Sequence, residues 1–324
     1  MEEVFGTETV EKLIEANGLF YCPNLDMYEV EGVPFPVHLV SPSTIEAMKT
    51  WQARSDDVFI VTYAKAGTTW SQEVVSAICN EGDLSQLNKS HTWLRVPFME
   101  ANVLTGTEDI PIPPTYEFIG KMKSPRTIKS HLPGHLLPPD IMKKKSRVVY
   151  VARNPKDVCV SYYHFHNTVP ALPSYESWEK FFVDFINGKV TFGPWWDHYL
   201  YYWNRRNEPN VLFLTFEDMK LDLKGVVEKL SDFLGYSFSD DVIKNITNHC
   251  TFESMKANPM TNPDKLIEKT HKIIESKKAT PVEDDKSKHR PFMRGGTVGD
   301  WRNHFTVAQN EIMNAHIKEK TGRK

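Results

Sequence analysis

Val58-Phe59-Ile60-Val61-Thr62-Tyr63 runs without a break into Ala64-Lys65-Ala66-Gly67-Thr68-Thr69-Trp70. The first six residues are all β-branched or aromatic, the composition of a strand covered on both faces. The next seven hold a glycine, two threonines and a lysine, and a helical pattern follows. Such a strand-loop-helix turns its N–H groups and the helix dipole toward an anion, and Lys65 adds a mobile positive charge. It is not a Walker A loop, because Lys65 stands two residues before Gly67 rather than directly before Ser or Thr. The anion it suggests is a phosphate held without an obligate magnesium ion. Taken alone, a tight turn with a surface lysine explains the motif about as well.

Outward from this stretch, Val148-Val149-Tyr150-Val151-Ala152 and Val211-Leu212-Phe213-Leu214-Thr215-Phe216 repeat the pattern, each run followed by polar residues and a helix. Arg126-Thr127-Ile128-Lys129-Ser130-His131, ended by Leu132-Pro133, is a weaker fourth run. Alternation of this kind predicts an α/β fold with a central parallel β-sheet flanked by helices, and ligands of such sheets gather at the carboxyl ends of the strands. Residues 1–324 read as a single domain. In the N-terminal segment, residues 1–31, Val10, Leu13 and Ile14 followed by Asn17-Gly18 predict a short helix. Tyr21 to Pro42, with its prolines, predicts extended surface chain. Ser43 with Glu46 has the spacing of a capping box ahead of Ile45, Met48 and Trp51. Residues 258–290, rich in Lys, Asp, Glu and Pro, predict a mobile surface segment, and a helical pattern closes the chain from about Val307 to Lys320.

The chain's 324 residues, 40% of them hydrophobic, suffice for a large core. With 39 basic and 42 acidic residues the net charge is −3, which argues against nucleic acid or an anionic membrane as partner. The N-terminus lacks a signal peptide pattern and no apolar run is long enough to span a bilayer, so a soluble, cytoplasmic protein is expected. Cys22, Cys79, Cys159 and Cys250 are scattered, without metal-ligand spacing, and read as reduced thiols.

Two further constellations lie where the predicted strands end. Arg153 closes one run and Ser161 falls two turns into the helix after it, so both could meet one phosphate; an Arg paired with a nearby carboxylate is the plain alternative. His131 ends another run beside Lys129. An imidazole near neutrality suits proton abstraction, although most single histidines are structural.

Together these residues closely resemble the cytosolic sulfotransferases, from about Gly32 to Lys320. Thr62 to Trp70 is similar to the family's 5′-phosphosulfate loop and Arg153 to Ser161 to its 3′-phosphate element. Arg294-Gly295-Gly296 with Gly299-Asp300-Trp301 is similar to its C-terminal phosphate-binding turn. The resemblance implies one domain with a central parallel sheet and transfer of a sulfuryl group from 3′-phosphoadenosine 5′-phosphosulfate (PAPS) to a hydroxyl or amine of a small hydrophobic molecule, leaving adenosine 3′,5′-bisphosphate. It implies that Lys65, Ala66, Gly67, Thr68, Thr69 and Trp70 hold the 5′ side of PAPS, and Arg153, Ser161, Arg294, Gly295 and Gly296 the 3′-phosphate. Cys250, Phe252 and Phe216 would surround the adenine.

The same resemblance makes His131 the general base, with Lys65 and Lys129 stabilising charge in an in-line displacement that needs no metal. Phe98 and Phe165, with Lys129 and His131, would line the acceptor pocket, and Phe35 or Leu39 would contribute from the N-terminal loop. Arg302, Thr306, Val307 and Glu311 resemble a short motif for a weak homodimer. The chain departs from the family at Ala64, usually Pro, at Ala66, usually Ser, and at Gly295, usually Lys. Leu104 to Thr115 is longer than in common members. A nucleotide kinase would need Gly-Lys-Ser or Gly-Lys-Thr, which is absent, and no G-x-G-x-x-G follows a strand as a nicotinamide dehydrogenase would require. The remaining alternative is a catalytically weak or non-catalytic nucleotide-binding protein of the same fold.

Overall fold

The computed structural model describes residues 12–16, 25–102, 112–276 and 291–322. Along the chain run a hairpin, β1 (Met27–Val30) and β2 (Val33–Pro36), then β3 (Val58–Thr62), β4 (Thr127–Ser130), β5 (Arg147–Ala152) and β6 (Val211–Thr215). The last four form one sheet in the order β4-β3-β5-β6, every neighbouring pair parallel. Phe59 and Val61 of β3 face one apolar cluster with Val148 and Tyr150; Val58 and Ile60 face a second with Val149, Val151 and Leu212. Side chains alternate between two covered faces, which is why these runs lack the polar positions of a half-exposed strand.

Helices α1 (Pro42–Met48), α2 (Thr68–Cys79), α3 (Pro155–His166), α4 (Trp195–Trp203), α5 (Leu223–Leu234) and α6 (Asp240–His249) build the layers. Val74, Val75 and Ile78 of α2 pack with Val226, Val227 and Leu230 of α5 on one side of the sheet. Val158, Cys159 and Tyr162 of α3 and Trp195, Trp196 and Tyr202 of α4 cover the other. The chain leaves β3 first to one side, to β4, and later returns to the other side of β3 as β5. The carboxyl end of β3 is therefore the switch point, where a crevice opens in an open α/β sheet. Among the described residues no helix is long and apolar enough to cross a membrane.

Three expectations are corrected. Residues 27–36 are not surface chain: they form the hairpin, with Val33 and Phe35 buried, and Pro34 and Pro36 fit because the pair has only two strands. Helix α1 begins at Pro42 under Ser41, whose hydroxyl accepts from the Thr44 N–H, so Ser43 is not its cap. Within 258–290, Asp264–Ser276 is helix α7, with Ile267 and Thr270 buried. Asp264 accepts the Phe292 N–H at 2.7 Å and His271 Nε2 donates to the Thr168 carbonyl at 2.8 Å, so polar bonds anchor this charged helix. Residues 277–290, most of the 104–115 stretch, and Val10, Asn17 and Gly18 of the expected first helix lie outside the described residues; residues 12–16 are helical. The closing helix, α8, spans Val307–Thr321 under a Thr306–Gln309 capping box.

Candidate active site

A cavity of about 240 Å³ opens at the carboxyl ends of β3, β4 and β5. The loop after β3 enters it through two unusual backbone turns: Lys65 has φ 68° and Gly67, which caps α2, has φ 113°. A β-carbon on Gly67 would come 3.0 Å from the Phe216 ring, so glycine is demanded by both backbone and neighbour. Thr68 and Thr69 begin α2 and line the cavity, and Thr68 shares a 2.6 Å hydroxyl contact with Thr62. The Lys65 ammonium lies over the rings of Phe165 and Phe292, at 4.1 and 4.3 Å. Burial, then the charges of Arg153, Lys129 and Arg294, pull its pKa down to about 7. An anion arriving among these cations would reverse that shift.

Arg153 at the end of β5 spreads its guanidinium 4.2 Å over Phe216 and donates to the carbonyls of Lys65 and Thr297, at 3.2 Å each. Its buried Nε has no hydrogen-bond partner. Ser161, on α3, and Arg294, Gly295 and Gly296 complete this wall. Arg294 is held by Asp300. The turn that carries it is stitched to α3, because Asp157 accepts the N–H groups of Gly299 at 2.7 Å and Trp301 at 3.0 Å. Gly296 has φ 56°, and a β-carbon there would stand 2.6 Å from Phe252. Trp70, edge-on to Phe216 at 5.3 Å, donates its indole N–H to the Cys250 carbonyl at 2.8 Å.

His131 follows β4. Its Nδ1 lies 2.7 Å from the Thr62 carbonyl oxygen; a carbonyl only accepts, so Nδ1 holds the proton and Nε2 keeps a lone pair. Phe98 and Phe192 flank the ring edge-on, at 4.9 and 5.3 Å. Burial, with the nearby Lys129 charge, holds the imidazole pKa well below its ordinary value. Lys129 places its ammonium 3.7 Å over the Phe98 ring. Leu39, Trp93, Val169 and Leu172 extend the apolar side of the cavity.

Most residues picked from the sequence thus meet in one cleft, and three do not line it. Phe35 is fully buried behind Phe192, edge to face at 5.8 Å, so it supports the wall without forming it. Cys250 is buried and serves through its carbonyl, as the anchor of Trp70. Ala66 is buried too, and its N–H is spent on the Tyr63 carbonyl at 3.1 Å. Sequence reasoning missed Trp93, Phe192, Met255, Phe292, Met293 and Thr297. Phe292 and Met293 directly precede Arg294 and could have been found by proximity. Phe192, at φ 68°, and Trp93 carry no such signal.

The sulfotransferase 1C2 of Rattus norvegicus is 38% identical over 294 residues, covering 91% of this chain and 92% of its own length. The sulfotransferase 1E1 of Bos taurus is 39% identical over 275 residues, covering 84% and 85%. A crystal structure of a mouse sulfotransferase complexed with PAP matches with a TM-score of 0.70 at 28% identity, over 91% of this chain and 93% of that one. A retinol dehydratase in complex with androsterone and PAP shares the fold, with a TM-score of 0.76 at 24% identity over 96% and 93%. Residues 55–324 match the family model described as the sulfotransferase domain, so the chain belongs to the sulfotransferase family.

Proposed function

We propose that this chain transfers a sulfuryl group from PAPS to a hydroxyl or amine of a small, mostly hydrophobic acceptor, with His131 as general base. The observation that carries the reading is the division of the cavity: cations on one side, an apolar slot on the other, and a neutral imidazole where they meet. The polar side fits a polyanion, since the buried Arg153 Nε is unpartnered and the other guanidinium nitrogens of Arg153 meet only backbone carbonyls. Lys65, Thr68 and Thr69 would hold the 5′ end, and Arg153, Ser161, Arg294 and Gly296 the 3′-phosphate, with Trp70, Phe216 and Phe252 around the base. PAPS, when bound, supplies a sulfuryl group on a phosphate leaving group.

The chain's own residues then have separate tasks. His131 takes the acceptor's proton at Nε2, and its Nδ1–H bond to Thr62 fixes the ring for that role. Lys65 and Lys129 place positive charge where negative charge grows in an in-line displacement. Phe98 and Phe192 keep water from the imidazole, and with Leu39, Trp93 and Phe165 they favour flat apolar acceptors such as phenols or sterols.

Thermal-shift measurements with adenosine 3′,5′-bisphosphate, ATP and NAD, followed by a transfer assay with PAPS and a simple phenol, test this reading. Stabilisation by the bisphosphate together with transfer supports it; stabilisation by ATP or NAD instead overturns it. The glycine at 295, where the resemblance implies a lysine, favours one second reading, a nucleotide binder of low turnover. That protein would be stabilised by the bisphosphate without transferring.

For assembly, Arg302, Thr306, Val307 and Glu311 are all exposed, Val307 to 76%, and suit a small symmetric contact in a weak homodimer. Sedimentation that finds only monomer at high micromolar concentration would exclude it.

A further inference from the structure

A second cavity, of about 460 Å³, shares no lining residue with the cleft at the strand ends. It lies on the face of the sheet that α4 covers, over Val61 of β3 and Val148 of β5. Ile45 of α1 lines one side, and Leu136, Leu137 and Ile141, from the segment that follows β4, line another. Glu31 and Lys49, also in its lining, are exposed and of opposite charge, and His135 is exposed as well.

Its walls are fixed from behind, so the space does not close by a small shift. The Tyr201 ring lies against Gly134, where a β-carbon would stand 2.2 Å from it, and the Arg205 guanidinium sits 3.7 Å from the ring centroid. Arg205 also donates to the Tyr201 carbonyl at 3.0 Å. Tyr202 is stacked on Tyr150, with centroids 4.2 Å apart and planes at 15°. Prolines stiffen the segment after β4, where the Pro133 carbonyl accepts the Leu136 N–H at 2.9 Å and the Pro138 carbonyl the Ile141 N–H at 3.1 Å. Protein interiors seldom leave a void this large, and its volume falls within the roughly 300–1,000 Å³ of small-molecule sites.

Tyr202 indicates what fills it. This residue lines the cavity and is 1% exposed, and among the described residues its hydroxyl has no hydrogen-bond partner. Burial holds its pKa well above the ordinary phenol value, so it is a neutral hydroxyl, able to donate or accept. Left unmatched, such a group is costly. Water is a poor match, because it needs roughly two to four polar partners and the deep side chains around Tyr202 are apolar. The opposite charges of Glu31 and Lys49 give no net pull on an ion.

We propose that this cavity is a second binding site, separate from the cleft at the strand ends, for a small, neutral, apolar molecule whose single hydroxyl or carbonyl oxygen pairs with the Tyr202 hydroxyl. The site does not depend on the transfer reaction. Methionine methyl groups tell the two cavities apart, since Met142 lines the second and Met255 and Met293 the first. In protein carrying ¹³C-methyl methionine, p-cresol should shift the Met142 signal saturably. Tyr202→Phe keeps the ring and removes the partner, so p-cresol should bind at Met142 about three- to tenfold more weakly, with toluene unchanged. Movement of Met255 and Met293 alone overturns the proposal, as does a p-cresol affinity at Met142 that Tyr202→Phe leaves intact. If Tyr202→Phe does not fold, the wild type decides. With a partner waiting, p-cresol should bind there at least as tightly as toluene, although its hydroxyl must leave water; toluene binding more tightly would show an unmatched hydroxyl and overturn the assignment.

Discussion

At His131 the proton sits on Nδ1, bonded to the Thr62 carbonyl, and burial beside Lys129 holds the ring's pKa well below the imidazole range. A base must be neutral to act, so a depressed pKa extends activity toward acid. The acid limb of kcat/KM should therefore lie below about pH 6.5, the value of a free imidazole. His131→Ala should lower kcat by about two orders of magnitude or more with adenosine 3′,5′-bisphosphate binding unchanged; near-normal turnover in a folded variant would remove His131 from the mechanism. Gly295 offers the opposite experiment. A β-carbon there meets nothing closer than the Thr297 hydroxyl at 3.4 Å and residue 295 is exposed, so Gly295→Lys can start without a clash. A lysine so exposed to solvent should tighten adenosine 3′,5′-bisphosphate by at most about tenfold, and adenosine 5′-phosphate not at all. Calorimetry with both ligands checks this; equal gains for both would mean that residue 295 does not face the 3′-phosphate.

The strand ends were legible because a buried parallel strand needs a continuous run of apolar residues, and the polar residue that breaks the run marks the crevice. Lys65 and Arg153 each stand at such a break, whereas His131 ends the weaker run, whose Lys129 and Ser130 are already polar. The hairpin at residues 27–36 was not legible, since its prolines signal breaks wherever the sheet is larger than two strands. Helix α7 was hidden by its charge, because it buries few apolar residues and holds by polar bonds. The acceptor wall was half legible: Phe98 and Phe165 line it while Phe35 backs it, and only packing decides which aromatic ring faces the space. The C-terminal turn yields a paired prediction. At Gly296 a left-handed backbone and the Phe252 ring at 2.6 Å both exclude a β-carbon, whereas Gly295 has neither constraint. Gly296→Ala should cost about 1–2 kcal/mol of stability and weaken nucleotide binding by displacing Phe252, with Gly295→Ala close to wild type. Denaturant unfolding and calorimetry on both variants would show it; equal behaviour would contradict the geometry.

Across the whole molecule, burial keeps His91 and His166 neutral with pKa values lowered to about 4, and His198 to about 3. In the unfolded chain each takes a proton near pH 6.5, so their contribution to stability is complete above that value and is lost as pH falls toward 4. The melting temperature should drop steadily from about pH 6.5 downward, well before most carboxylates titrate. A flat profile between about pH 7 and pH 5 would show that these rings are not buried neutral. The stitch from Asp157 to Gly299 spans 142 positions, and it unites the two halves of the wall proposed to hold the 3′-phosphate. On the ribosome, a nascent chain that has already emerged through Ser161 holds Arg153 but not Arg294. A nucleotide ligand has nothing complete to grip until Trp301 is made, so the stabilisation it lends when bound cannot guide early folding and arrives only as a late lock on a sheet already assembled.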